Sequence, residues 1–388
     1  MLLWLLGFAW ANDPIRYVQI FDSASKMVAR EEDPNTRHLE WPFCPTHNKG
    51  RCTEKRWIQL GIDIDAYMIR RNNAHQSMQE IVDTSIEDVR PIIAEIVRYL
   101  DDKNDTSNTS KVGYVQGMIQ AIHYAYDDCN GEANCTNANS TGWSDYPKFT
   151  LEFFFDQLGD CDDASISNGA MLVAMGLEPY FVFWEQPGGA HISNALKRAT
   201  PGIAEVEIPK DSFLIEDPKS GHSYLHVDAV GTVGGCTPNC PPLGWNEWPK
   251  DGYKVTKITA VLSDNLDKEV PIKAWSIKTK RFPNQRSRDR RSVSREEVVE
   301  EIKLKEQQWE ENNVRRLRYL GEEEETARKI VLIVPRDYRS QSSSLALSAL
   351  IALMMGILGL IGYRSHKRKI EDQQKREILR KKKEQERF

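Results

Sequence analysis

At 388 residues, 40% hydrophobic and 28% charged, the chain is long enough for one large or two ordinary domains and has no collagen-like or low-complexity composition. Its net charge of −5 hides an asymmetry: from Arg364 to Phe388 there are 11 Lys/Arg against 5 Asp/Glu, a surplus of 6 that leaves −11 for the rest. An acidic body of this kind speaks against nucleic acid as the main partner.

In chain order, Met1 to Trp10 is apolar and Ala9-Trp10-Ala11 fits the small-x-small pattern before a cleavage site, so residues 1–11 are predicted to be a signal peptide or its remnant. Residues 12–110 are expected to form an N-terminal, mainly helical region packed on the core. Its aromatic and Pro-rich start, residues 12–60, reads as loops and short elements. Ser85-Ile-Glu-Asp88 looks like a capping box, and Val89, Ile93, Ile96, Val97 and Leu100 follow at helical spacing. A second helix carries Val112, Val115, Ile119, Ile122 and Tyr126 on one face. Residues 127–145 are polar and predict a surface loop. Sequons at Asn104, Asn108, Asn134 and Asn139 crowd this part of the chain and suit an exterior setting.

From Tyr146 the text changes. Gly159-Asp-Cys-Asp-Asp163 leads into a helix to about Met175, stopped by Gly176 and Pro179. Tyr180 to Glu185 reads as a strand, Pro187-Gly188-Gly189 as a turn, and Ala190 to Leu196 as the returning strand. Ser223 to Val230 alternates as a strand, and two more are expected at Lys254 to Leu262 and Pro271 to Lys278. The order is α+β, with the core at 111–280. Residues 281–344 comprise a basic linker, a charged helix from Ser294 to Leu320 and a strand-like run at Lys329 to Pro335. Leu345 to Tyr363 then holds 19 residues without a charge. As a helix it rises about 28 Å, enough to cross the hydrocarbon. The basic tail, 364–388, predicts a cytoplasmic end and an exterior N-terminal part: a single-pass membrane protein.

Six of the seven cysteines fall into short-range couples, Cys44/Cys52, Cys129/Cys135 and Cys236/Cys240, which suits disulfides in an oxidising compartment, although six cysteines allow 15 pairings. Cys161 is left over. A zinc site is the weaker reading, because no CxxC is present. At a helix start, partial positive charge favours thiolate, and N–H groups there can bind an oxyanion. Asp160 is the expected N-cap. Asp160, Asp162 and Asp163 oppose the thiolate, so a base is required. His191 lies just after a glycine turn on the second following strand, and Asp228 on the next strand is placed to orient it. His226 and His222 are the alternative bases. Gln116 reads as a polar-face glutamine rather than an oxyanion donor.

Tyr146-Pro-Lys-Phe-Thr-Leu-Glu152, Gly159-Asp-Cys-Asp-Asp163, the helix end Met175-Gly176 and the upstream Val115-Gln116 and Tyr124 together resemble the transglutaminase-like superfamily, closest to its microbial and archaeal members. The resemblance covers roughly Val112 to Val230. It implies a papain/transglutaminase-like core, a nucleophile helix packed on an antiparallel sheet, with Cys161 as nucleophile, His191 as base and Asp228 as orienting acid. In the family the histidine is usually followed by alternating Val and Trp and the aspartate by Pro-Thr; here Ile-Ser-Asn and Ala-Val follow. The expected function is a membrane-anchored exterior cysteine hydrolase acting on a protein or peptide, without cofactor or metal. The alternatives are a protein-crosslinking transglutaminase, a catalytically silent cell-surface binding module, and metal binding through His222, His226 and Asp228.

Overall fold

The computed structural model describes residues 13–30, 33–48, 51–72, 77–124, 147–186, 189–197, 214–217, 219–229, 254–264, 266, 293–307 and 309–332. The signal at 1–11, the couples Cys129/Cys135 and Cys236/Cys240, the strand at 271–278, the span at 345–363 and the tail lie outside them. Among the described residues no helix is long and apolar enough to cross a membrane. Contacts divide the chain into two compact units, 1–28 with 33–335 and 29–32 with 336–388. All elements below belong to the first.

The chain opens with a sheet where loops were expected. β1 (Ile15–Phe21), β2 (Thr36–Asn48) and β3 (Arg51–Asp63) form an antiparallel sheet in the order β1-β3-β2. Alternation explains it: Leu39, Trp41 and Phe43 on β2 and Ile58, Leu60 and Ile62 on β3 are all buried. Pro42 and Pro45 are tolerated because β2 is an edge strand. A Cys44–Cys52 disulfide closes the hairpin near its turn.

Four helices pack on this sheet. α1 (Ile64–Asn72) follows directly; α2 (Met78–Asp102) begins about two turns before the expected Ser85. Ser77 is its cap and accepts the Glu80 N–H at 3.1 Å. Ser85 and Asp88 lie inside the helix and are buried. There Ser85 Oγ accepts the Thr150 N–H, and Asp88 takes both arms of Arg70. α3 (Asn108–Gln120) is capped by Ser107 and ends six residues before Tyr126. It lies so close to β2 that a Cβ on Gly117 would fall 2.0 Å from the Cys44 carbonyl oxygen. α4 (Thr150–Asp156) buries Phe153, Phe154 and Phe155, each stabilising by about 1.5–3 kcal/mol.

α5 (Cys161–Ala174) is buried on nearly every side and rests against a second, antiparallel sheet. That sheet comprises β6 (Pro179–Gln186), β7 (Gly189–Lys197), β8 (Leu214–Glu216), β9 (Ser223–Val227) and β10 (Lys254–Ala260), ordered β10-β6-β7-β9-β8. The expected strand pair is present, with Trp184 opposite His191 and Phe181 opposite Asn194. The α+β architecture thus has a helix on an antiparallel sheet. The charged C-terminal helix starts at the expected cap, since Ser294 and Glu297 satisfy each other reciprocally. Its described parts are α6 (Arg295–Gln307) and α7 (Trp309–Tyr319), and the described start of the run expected as a strand, 329–332, is the end of α8 (Glu324–Leu332). Ala327 and Val331, four apart on α8, share an apolar cluster with Trp57, Val314 and Leu317, so the helical period won over the β-branched residues.

Candidate active site

α5 begins at Cys161 because Asp160, in extended backbone conformation, caps it. The Asp160 carboxylate accepts the Asp162 N–H at 3.3 Å, and Asp163 Oδ2 accepts the Asp160 N–H at 3.3 Å. Asp163 is fully buried, accepts the Lys148 N–H at 2.7 Å and pairs with Lys148 Nζ at 3.1 Å. The same ammonium donates to the Leu158 carbonyl at 3.0 Å. Burial pushes the Asp163 carboxyl up, and Lys148 opposes that shift. One of the three carboxylates flanking the thiol is therefore matched by a cation that sequence reasoning missed. Nothing in the spacing of Lys148 advertises its role; it acts through the fold, 15 residues before its partner.

Just before the cap, a two-residue parallel ladder joins β4 (His123–Tyr124) to β5 (Leu158–Gly159). A Cβ on Gly159 would fall 2.5 Å from the Phe153 ring and 2.6 Å from Asp163 Oδ2, so only glycine lets the chain pass here. Among the described residues, Cys161 is the cysteine outside the Cys44–Cys52 bond. It is half-buried and packs beside the apolar cluster of Phe149, Ile166, Phe181 and Ile192.

Two hydrogen bonds fix the height of β7 along α5. Ser165 Oγ donates to the Ile192 carbonyl at 3.1 Å, and Asn168 Nδ2 donates to Asn194 Oδ1 at 3.0 Å. Going back one turn from Ser165 to Cys161 descends about 6 Å of helix, or two strand residues at about 3.3 Å each. His191 lies within that interval, level with the first turn of α5. By alternation Ile192 and Asn194 take the positions toward α5, while His191, Ser193 and Ala195 take the others.

On the His191 side, Trp184 Nε1 donates to Ser193 Oγ at 2.9 Å, and Ser193 Oγ meets His226 Nε2 at 2.8 Å. The Trp184 and His226 rings meet edge to face at 5.6 Å. Burial lowers the His191 pKa to about 4. Burial and then the charge of His191 lower that of His226 to about 3. Both imidazoles are neutral at physiological pH. His222 is exposed, away from this cluster.

Asp228 is buried just past β9. Its carbonyl accepts from Gln116 Nε2 at 2.8 Å and Gln120 Nε2 at 2.6 Å. Gln116 is thus buried rather than on the surface, and it ties α3 to the Asp228 backbone. Asp228 directly follows Val227, the last residue of β9, which pairs with Asn194. His191 and His226 thus fall on the sheet face turned away from α5, and Cys161 starts α5 on the other face. Among the described residues, one trio of metal-ligand side chains, Asp160, Cys161 and Asp162, gathers its donor atoms within 4.8 Å. The oxygen-rich set suits a hard cation better than zinc.

Fold and site define an α+β protein with a thiol at the capped start of a helix packed on an antiparallel sheet. Among solved structures, the chain is similar to calcium-bound Legionella pneumophila LapG at 14% identity and a TM-score of 0.24, over 51% of this chain and 90% of that one. It is similar to EGTA-treated LapG at 16% identity and a TM-score of 0.25, over 52% and 100%. No family model and no curated protein sequence matches the chain. TM-scores of this size carry no argument about activity, so the function is argued from the residues of the site.

Proposed function

We propose that the chain is a thiol-dependent acyl-transfer enzyme: a membrane-anchored, exterior, transglutaminase-like cysteine hydrolase that acts on a protein or peptide through a Cys161 thioester. The observation that carries the reading is the Cys161 thiol, half-buried at a capped helix start. In this reading neutral His191 takes the Cys161 proton. The sulfur attacks an amide carbonyl carbon, forming C–S and pushing the electron pair onto oxygen, where first-turn N–H groups of α5 stabilise it. As the C–N bond breaks, the His191 imidazolium gives its proton to the departing amine. Water then adds to the thioester with His191 as base; the C–S bond breaks, the carboxylic acid leaves and Cys161 regains its proton. A lysine amine in place of water yields a crosslink. Asp228 fixes the His191 tautomer. Because Ile192 holds the pleat position against α5, His191 must turn past the start of β7 to reach the sulfur.

The test is alkylation of the full chain by iodoacetamide at pH 7, read on the Cys161 peptide by mass spectrometry, alongside cleavage of dye-labelled casein. Labelling faster than a model thiol, with labelling and cleavage both lost in His191→Ala, supports the enzyme. Labelling at the model-thiol rate without cleavage overturns it in favour of a silent binding module. Loss in His226→Ala but not in His191→Ala moves the base to His226.

A further inference from the structure

One buried cation near the nucleophile plays no part in this chemistry. Arg316 on α7 is buried, and its three hydrogen-bond acceptors carry no charge. Nε donates to the Ala121 carbonyl at 3.1 Å, Nη1 to Asn313 Oδ1 at 3.0 Å and Nη2 to Gln157 Oε1 at 2.6 Å. Burial, then Arg315 and Arg37, bring its pKa down to about 9, so it remains a cation at neutral pH. Burying a guanidinium without a carboxylate is costly, and the fold keeps it where the acceptors are most consequential.

Those acceptors sit at two matched places. Ala121 is the C-cap of α3, two residues before β4. Gln157 is the left-handed C-cap of α4 (φ 56°), one residue before β5. β4 and β5 pair with each other, and β5 runs through Asp160 into Cys161. The Gln157 amide is held for its task, since Nε2 donates to the Phe154 carbonyl at 2.8 Å and leaves Oε1 to Arg316. At the other end α7 is seated firmly: Asn313 Nδ2 donates to the Glu40 carbonyl on β2 at 3.1 Å, and Val314 and Leu317 are buried with Trp57. A continuous chain of contacts thus runs from β2 through α7 to the turn before the thiol.

We infer that Arg316 is a positioning residue for Cys161, clamping the turn that presents the nucleophile to a helix residue 159 positions later in the sequence. The inference rests on the reading of Cys161 as the nucleophile. The planar guanidinium spans the Ala121 and Gln157 acceptors together, whereas a lysine ammonium is a single point that serves one. Without the clamp, β5 and the Asp160 cap shift relative to α3, and the thiol loses its fixed place at the helix terminus.

The test measures iodoacetamide alkylation of the Cys161 peptide from pH 6 to 9 in the full chain, with urea unfolding in parallel, for the wild type, Arg316→Met, Arg316→Lys and Gln157→Gly. Glycine accepts the positive φ at 157 and removes the acceptor together with the Nε2 bond to the Phe154 carbonyl. Arg316→Met and Gln157→Gly are expected to slow alkylation at pH 7 about tenfold and to move its pH midpoint up by about one unit, the equivalent change in thiolate. Arg316→Lys should fall between them and the wild type. If the folded variants keep the wild-type rate and pH profile and lose only unfolding midpoint, Arg316 is structural and the inference fails. Should Arg316→Met not fold, Gln157→Gly decides alone by the same readout. A wild type that reacts at the model-thiol rate sinks the nucleophile reading instead, a different result.

Discussion

Replacing His226 with glutamine measures what a buried imidazole beside a half-buried one does to stability in acid. His191 and His226 lie at about 4 and about 3, against 6.5 for an ordinary histidine, with burial the largest cause in both. Between about pH 6.5 and 4 the unfolded chain therefore binds more protons than the folded one. Stability is complete above that window and falls as pH drops through it. From pH 6 to pH 5 each such imidazole removes about 1.2 kcal/mol, and the two together about 2.4 kcal/mol. The figure hardly depends on whether the folded value is 3 or 4, since both lie below the interval. Glutamine places an amide where Nε2 meets Ser193 Oγ and cannot titrate. Urea unfolding followed by tryptophan fluorescence at pH 6.0, 5.5 and 5.0 should show the variant losing about 1.2 kcal/mol less than the wild type. Equal losses in the two proteins would refute the neutral pair.

Lys148→Met strands Asp163 in the interior and is expected to cost about 3–5 kcal/mol in urea unfolding, most of it regained in Lys148→Met/Asp163→Asn; no regain means the pair is not the cause. Gly117→Ala puts a methyl group against the Cys44 carbonyl and should cost about 1–3 kcal/mol in thermal unfolding, read as a lower Tm. Opening Cys44–Cys52 by the double Ser variant frees a loop of sequence separation 8 and should cost about 2.5 kcal/mol; an unchanged urea midpoint would contradict it.

The second half of the domain was legible because its signals are local. Two β-prone runs joined by Pro-Gly-Gly became the β6–β7 pair, and Gly159-Asp-Cys-Asp-Asp163 became a capped helix start. The first half was not, because its strands are long, carry two prolines and are made strands by pairing across the chain rather than by composition. The start of α2 was misplaced through a choice between two similar patterns: Ser77-Met-Gln-Glu80 caps the helix, whereas Ser85 and Asp88 serve Thr150 and Arg70. At the site, Cys161 could be picked out by its place in the text. Lys148, Gln116, Gln120 and Arg316 could not, since each acts on a residue it meets only after folding.

Gly117 and Gln116 are neighbours on α3, and they face two ways. Gly117 rests on the carbonyl of Cys44, inside the disulfide hairpin, while Gln116 holds the carbonyl of Asp228. A displacement of the Cys44 strand therefore presses on the turn of helix that seats Asp228. The disulfide hairpin and the residue that follows β9 are thus joined through a single turn of α3.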